Sequence, residues 1–162
     1  MLFRSSDSRV PAEIIFDQGL GDLFVIRVAG NIVASSQVDS VEFAAERFGT
    51  PLVVVLGHSK CGAIDATLEE LMLPKERRSR NLKSIVNRVR PSVEALLATE
   101  LKHDPDALKA LAVRANVRAS VNQIRHGSPG LEQLIQRERL LVVGAEYSLD
   151  TGEVDFFDGV PD

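Results

Sequence analysis

The sequence has 162 residues, of which 44% are hydrophobic and 26% are charged, and this ordinary globular composition excludes disordered, collagen-like and coiled-coil proteins. The formal net charge of −4 argues against nucleic acid or an anionic membrane surface as a partner. The single cysteine, Cys61, excludes an intrachain disulfide and any zinc site that needs two cysteines from one chain.

Apolar runs and helix signals alternate along the chain. In chain order, the predicted strands cover residues 2–4, 23–28, 52–56, 140–143 and 154–157. The predicted helices cover residues 11–17, 35–47, 61–71, 81–101, 105–126 and 131–138, with turns at 57–62 and 127–130 and a basic surface loop at 73–80. This order predicts one α/β domain over residues 1–162, with a mainly parallel sheet flanked by helices and a C-terminal strand hairpin.

The expected location follows from three features. Arg4 interrupts the apolar N-terminal stretch, so residues 1–9 lack the core of a signal peptide. The longest apolar run, LVVVL at 52–56, is far too short to span a bilayer. A lone thiol suits a reducing compartment, and together these features predict a cytoplasmic protein that has no membrane partner.

Polar clusters follow two of the predicted strands. SSDSR at 5–9 comes after the first strand, and GHSKCG at 57–62 comes after the strand at 52–56. A third polar element, RVAGN at 27–31, ends the strand between them. Because ligands of open parallel sheets bind at the carboxyl ends of the strands, we expect the functional site where these clusters meet.

Four residues of these clusters carry recognisable chemistry. His58 and Cys61 have the spacing H-x-x-C, which can direct an imidazole and a thiolate at one metal ion. On spacing alone, a capping histidine and a small buried cysteine are the simpler explanation. Asp7 and Arg9 lie two residues apart in a polar loop, where a helix cap and a solvated ion pair would also explain them.

Taken together, three long segments resemble the β-class carbonic anhydrases. They are SSDSRVPAEIIFDQGLGDLFVIRVAGN, VVVLGHSKCGAIDA and the closing GAEYSLDTGEVDFF, so the resemblance covers nearly the whole chain. It implies a carbonate dehydratase, which interconverts carbon dioxide and bicarbonate through a zinc-bound hydroxide. It also implies a homodimer or tetramer, with the pocket at the dimer interface.

The resemblance assigns roles to individual positions. In the family motif C-x-D-S-R followed by H-x-x-C, two cysteines and the histidine bind zinc. His58 and Cys61 match two of these ligands, and Asp7 and Arg9 match the aspartate–arginine dyad at the fourth coordination position. Gln18 and Gly62 match positions that line the substrate pocket, and Gln18 is expected to serve the zinc of the neighbouring subunit.

The sequence departs from the family pattern in two places. Ser5 stands where the family has its first zinc-ligand cysteine, and the sequence begins at the first strand, whereas family members usually carry N-terminal helices before it. A serine hydroxyl is neutral near pH 7 and is a harder donor than zinc prefers. If the helices are absent, we expect the surface they cover to be exposed or covered by another contact.

Ser5 leaves two outcomes open. Zinc stays, held by His58, Cys61 and either Asp7 or water, or zinc is lost and an anion or small-molecule site remains around Arg9. Three functions follow: a zinc-dependent carbonic anhydrase of reduced activity, a zinc-poor and non-catalytic paralogue that serves as a binding or assembly subunit, or a related small-molecule hydrolase.

Overall fold

The computed structural model describes residues 1–79 and 81–161. Its sheet contains the strands β1 Leu2–Arg4, β2 Val25–Arg27, β3 Leu52–His58, β4 Leu141–Tyr147 and β5 Val154–Asp158, in the order β2-β1-β3-β4-β5. The first four strands are parallel, and β5 runs antiparallel to β4. The predicted mainly parallel sheet with a C-terminal hairpin is therefore confirmed.

Mainly one face of this sheet is covered by helices, and the first of them, which is short, packs with its flanking segments against the other face. The helices are α1 Ala12–Ile15, α2 Ser35–Phe48, α3 Gly62–Met72, α4 Lys83–Val93, α5 Pro105–Arg125 and α6 Pro129–Gln136. Each of the predicted helices has a counterpart here, with ends that differ by a few residues except at the end of the helix predicted at 81–101. In the two described ranges, no helix is both long enough and apolar enough to cross a membrane.

Part of the predicted helix at 81–101 is wrong. The α-helix ends at Val93, and 3₁₀ turns follow at Glu94–Ala98 and Glu100–His103. Pro91 lies in the last turn of α4 and has no N–H to continue the ladder, and the Thr99 hydroxyl then bonds main-chain groups in place of a helical turn. Of the predicted basic loop at 73–80, Arg80 lies outside the described residues.

The strand before the candidate site is longer than predicted. β3 continues through Gly57 and His58, which were expected to begin a turn, because both pair with β4 in the registers Gly57↔Glu146 and His58↔Tyr147. Glycine is depleted in strands, so the local composition indicated a turn. Pairing with a neighbouring strand overrides that preference and holds His58 in the sheet.

Gly57 allows α5 to pack closely on β3. A Cβ atom at this position would lie 2.6 Å from Cγ2 of Val117 and 3.2 Å from Cγ1 of Val113, both on α5. Val117 is fully buried, and the first of these distances is shorter than real side-chain contacts allow. The glycine therefore sets the spacing between the central strand and its covering helix.

We expect Gly57→Ala to lower the free energy of unfolding by about 1–3 kcal/mol, because the added methyl group must displace α5. Urea unfolding followed by circular dichroism measures this change. Gly62→Ala is the matched control, since a Cβ atom there meets nothing within 4 Å. The control should stay within about 0.5 kcal/mol of the parent, and equal loss in both variants would contradict the packing argument.

The strand order determines which loops can meet. β1 pairs with β2 on one side and with β3 on the other, so the chain changes direction across the sheet between β1 and β3. In this doubly wound order, the loops leaving β1 and β3 diverge and leave a crevice at their carboxyl ends. The residues that follow Arg4 and His58 line that crevice.

Candidate functional site

Asp7 and Arg9 form a closed pair in the loop after β1. The Asp7 carboxylate accepts hydrogen bonds from Nε of Arg9 at 2.9 Å and from Nη2 at 2.7 Å. Its Oδ1 also accepts from the Arg9 main-chain N–H at 2.9 Å. These bonds to Arg9 hold the pKa of Asp7 well below its usual range, although partial burial opposes the shift.

The arginine also joins the two loops of the crevice. Nη2 of Arg9 donates to the main-chain carbonyl of Lys60 at 3.2 Å, across 51 residues of sequence. Lys60 has a left-handed backbone with φ 55°, which turns the chain sharply between β3 and α3. The bidentate guanidinium therefore fixes the Asp7 carboxylate relative to the turn after β3.

His58, the last residue of β3, presents one ring nitrogen to the crevice. Its Nδ1 lies 2.9 Å from the carbonyl oxygen of Ser59, and because a carbonyl only accepts, Nδ1 carries the proton. Nε2 is buried and has no hydrogen-bond partner in the described part of the chain. The nearest acid is Asp7, whose Oδ2 lies 3.9 Å from Nε2. The histidine thus points a free lone pair at the crevice, as a metal ligand does.

Cys61 lies at the N-terminus of α3, beside the histidine. Its thiol is buried and is not part of a disulfide. Burial raises the pKa of this thiol, but the His58 ring and the main-chain N–H groups of Ile64 and Ala63 outweigh that effect and lower the pKa below its usual value. For His58, burial lowers the pKa, whereas Cys61, the Ser59 carbonyl and Asp7 raise it, with a net rise.

Ser5 is buried at the start of the same loop. Its Oγ accepts a hydrogen bond from the main-chain N–H of Asp7 at 3.3 Å. The hydroxyl therefore shapes the loop as a local turn-forming group. It brings no charge to the crevice where the resemblance implies a thiolate.

The other two predicted pocket residues have simpler surroundings. The Gln18 amide donates to the carbonyls of Phe16 and Asp17, at 2.8 and 3.0 Å, so its hydrogen bonds stay within its own turn. Gly62 begins α3, and the space where its Cβ atom would lie is open. The structure therefore brings together Ser5, Asp7, Arg9, His58 and Cys61, with Gly62 beside them, and no hydrogen bond joins Gln18 to that group.

The donor chemistry fits zinc at two positions and not at the third. The free Nε2 of His58 and the acidified thiol of Cys61 are suitable zinc donors. Ser5 offers a neutral oxygen that is already hydrogen-bonded, and Asp7 is occupied by Arg9. Within residues 1–79 and 81–161, no group of three or more His, Cys, Asp and Glu side chains is assembled for a metal ion. Two suitable zinc donors are therefore in place, and a third would have to come from a group that is now bonded elsewhere.

Sequence reasoning missed Arg4, which lies directly beneath this loop. The residue is 2% exposed, and Nη1 donates to the carbonyls of Ser5 at 2.9 Å and Asp7 at 3.1 Å. An arginine at the end of a short strand is expected to reach solvent. Its burial depends on the strands on both sides of β1, which the local sequence does not reveal.

Low pH should reduce the stability of the metal-free protein, because the Asp7 carboxylate becomes protonated. Because the folded-state pKa of Asp7 is lowered, its ion pair contributes stability above the unfolded-state pKa of about 3.9, and that contribution is lost as the pH falls toward the folded-state value. We expect Asp7→Asn to lower Tm by a few degrees at pH 6, with a difference from the parent that shrinks toward pH 3.

Thermal unfolding of both metal-free proteins across this pH range measures the effect. Asp150→Asn is the control, since Asp150 pairs with Lys60 at a site where both side chains are 63% exposed. A difference between the parent and Asp7→Asn that does not change with pH would contradict the assignment.

Comparison with known proteins identifies close relatives. A family model described as carbonic anhydrase matches residues 1–154. The carbonic anhydrase of Mycolicibacterium smegmatis is 38% identical over 155 residues, which cover 96% of this chain and 72% of that protein. The carbonic anhydrase of Pseudomonas aeruginosa is 34% identical over 164 residues, which cover 95% of this chain and 70% of that protein.

Solved structures show the same fold. The β-carbonic anhydrase CafA of Aspergillus fumigatus superimposes with a TM-score of 0.85 at 25% identity, over 99% of this chain and 76% of that chain. The β-carbonic anhydrase CcaA superimposes with a TM-score of 0.82 at 25% identity, over 99% of this chain and 77% of that chain. The whole sheet and its covering helices are therefore shared with these enzymes.

Proposed function

Because this chain belongs to the β-class carbonic anhydrase family, whose members are zinc enzymes that interconvert carbon dioxide and bicarbonate, we propose that it carries a weakened form of that activity. The observation behind the proposal is Ser5. It is buried at the position of the first zinc-ligand cysteine, and its hydroxyl is hydrogen-bonded to the Asp7 main chain. A neutral, already bonded oxygen is a poor substitute for a thiolate.

His58, Cys61 and Asp7 are the residues that would hold zinc. The lone pair on His58 Nε2 is free, and Asp7 Oδ2 lies 3.9 Å away, so a small movement of the carboxylate would bring both toward one ion. When bound, zinc would act as a Lewis acid and lower the pKa of a zinc-bound water molecule to roughly 7. A third ligand that must first leave Arg9 lowers the affinity for the metal.

The same carboxylate is needed for a second task. In the family dyad, the aspartate accepts a hydrogen bond from the attacking nucleophile, and the arginine holds the aspartate. Arg9 holds Asp7 through two guanidinium bonds and a main-chain bond. If Asp7 is drawn to the metal, it can no longer orient the nucleophile, so tighter metal binding and faster turnover compete for one residue.

A second function is supported by the same geometry. The Asp7–Arg9 pair is complete without a metal, and no three-donor cluster is preassembled within the described ranges. A zinc-poor, non-catalytic paralogue that acts as a binding or assembly subunit is consistent with both observations. Such a subunit would bind little zinc and would not hydrate carbon dioxide.

Assembly and location complete the proposal. Exposed apolar side chains on the described surface include Ile14, Leu20, Phe43 and Phe48, with Leu20 97% exposed. Large apolar side chains left this exposed, with the rings of Phe43 and Phe48 in contact, support a homodimer or tetramer in which they are covered. Gln18, which reaches none of the site residues through a hydrogen bond, is proposed to serve the site of a neighbouring subunit. The lone free thiol supports a cytoplasmic location.

Metal content and turnover of the purified protein test the proposal. We expect less than one zinc per chain after dialysis, by elemental analysis, and carbon dioxide hydration at least about a hundredfold below that of the Mycolicibacterium smegmatis relative. Stoichiometric zinc with comparable turnover would contradict the weakened site. No zinc and no turnover would favour the non-catalytic subunit.

A further inference from the structure

Arg4 buries a positive charge beneath the loop that carries Ser5 and Asp7. It ends β1, with Arg27 of β2 and Leu56 of β3 as its register partners, and is 2% exposed. Nη1 donates to the carbonyl oxygens of Ser5 and Asp7, whereas Nε is buried without a partner among residues 1–79 and 81–161.

Within the described ranges, no carboxylate forms an ion pair with this guanidinium. Burial and the neighbouring Arg27 lower the pKa of the guanidinium, while Glu13 and Asp7 oppose that shift, and an arginine remains charged near neutral pH. The loop therefore lies over a full positive charge that water does not reach.

Arg27 reinforces the same arrangement. Its Nη2 donates to the carbonyl of Ser6 at 3.1 Å, so the carbonyls of Ser5, Ser6 and Asp7 all accept from guanidinium groups. Arg27 is exposed, and solvent screens its charge, whereas Arg4 acts through the protein interior, where screening is weak. Arg4 thus adds a buried positive charge behind the loop, whereas the other positive charge at the site, Arg9, is half exposed and paired with Asp7.

We propose that Arg4 opposes the binding of a divalent cation at the site, so that Ser5 and Arg4 together set its affinity for zinc. The inference rests on the proposed function, because it concerns the same site. A zinc site with two thiolates balances the charge of the ion. Here only Cys61 offers a thiolate, and the buried Arg4 guanidinium lies beneath the loop. Both the missing negative charge and the added positive charge therefore oppose binding of a cation.

A purely structural role for Arg4 predicts the opposite sign. If the guanidinium served only to hold the carbonyls of Ser5 and Asp7, its removal would loosen the loop and weaken zinc binding. If its charge opposes the metal, neutral replacements bind zinc more tightly. Arg4→Lys separates the two effects, because it keeps the charge and loses the two-carbonyl hydrogen bonding.

The experiment measures zinc dissociation constants by competition with a chromophoric chelator, at fixed pH and salt. Arg4→Gln and Arg4→Met should bind zinc about tenfold more tightly than the parent, and Arg4→Lys should stay within about threefold. Arg88→Gln is the control for loss of charge, since Arg88 is an exposed arginine that bonds Ser84 of its own helix, and it should change affinity less than about twofold.

Weaker or unchanged zinc binding in the neutral variants would overturn the inference. The Gln variant keeps one amide donor for the loop carbonyls, and a Ser5→Cys background, in which bound zinc stabilises the fold, provides a second comparison if either variant unfolds. If Arg4→Gln binds zinc with the affinity of the parent while Ser5→Cys hydrates carbon dioxide, the inference about Arg4 is refuted and the proposed function stands. If Arg4→Gln binds zinc more tightly than the parent while Ser5→Cys does not hydrate carbon dioxide, the proposed function is refuted and the inference about Arg4 stands.

Discussion

Ser5→Cys should convert this chain into a stoichiometric zinc protein and raise carbon dioxide hydration strongly. The new thiol would occupy the position of a buried hydroxyl in a loop already held by Arg4, and it would add a third zinc donor to those of His58 and Cys61. Changes to groups that only support a metal ligand alter affinity by about 10–100-fold, so restoring a ligand itself should gain roughly a hundredfold or more. Hydration should rise with zinc occupancy.

The measurement pairs elemental analysis with stopped-flow carbon dioxide hydration. Ser6→Cys is the matched control, because Ser6 is the exposed neighbour in the same loop, so the same thiol is added at the surface and not at the buried position 5. The control should retain the metal content and turnover of the parent. Equal gains in both variants would mean that any added thiol recruits zinc, and no gain in Ser5→Cys would show that position 5 does not limit the site.

Asp7→Asn should affect different properties in two backgrounds, zinc affinity in the parent and hydration rate in Ser5→Cys. In the parent, where Asp7 is the proposed third ligand, the amide should weaken zinc binding at least about tenfold. In Ser5→Cys, the restored thiolate releases Asp7 to its bonds with Arg9, so zinc affinity should change less than about threefold while hydration falls roughly a hundredfold. One carboxylate would thus act as a ligand in one protein and as an orienting group in the other.

A double-mutant cycle over positions 5 and 7 measures this exchange, with zinc affinity and hydration rate as separate readouts. Loss of zinc affinity by the same factor in both backgrounds would show that Asp7 never coordinates the metal in the parent. Asp65→Asn is a suitable control, because this acidic residue lies near the start of α3 and pairs with Lys109 at 3.6 Å, away from Arg9. It should leave both readouts unchanged.

Much of the fold could be read from local pattern. Apolar runs such as LVVVL at 52–56 and the break at Asp104–Pro105 identified strands and helix ends within a few residues, because burial in a parallel sheet needs continuous apolar runs and proline starts helices well. Where the prediction failed, at Gly57–His58 and after Val93, the outcome depended on a neighbouring strand or on competing side-chain hydrogen bonds.

By itself, the sequence determined the family, the residues of the candidate site and the lack of a second cysteine ligand, since these depend on residue identity and order. Only the tertiary structure decided how those residues act on one another. The strand order places the loop after β1 against the turn after β3, which brings Arg9 to Lys60 and leaves Nε2 of His58 without a hydrogen-bond partner among residues 1–79 and 81–161. It also encloses Arg4 between two strands, because burial is a property of the assembled sheet and not of the residue.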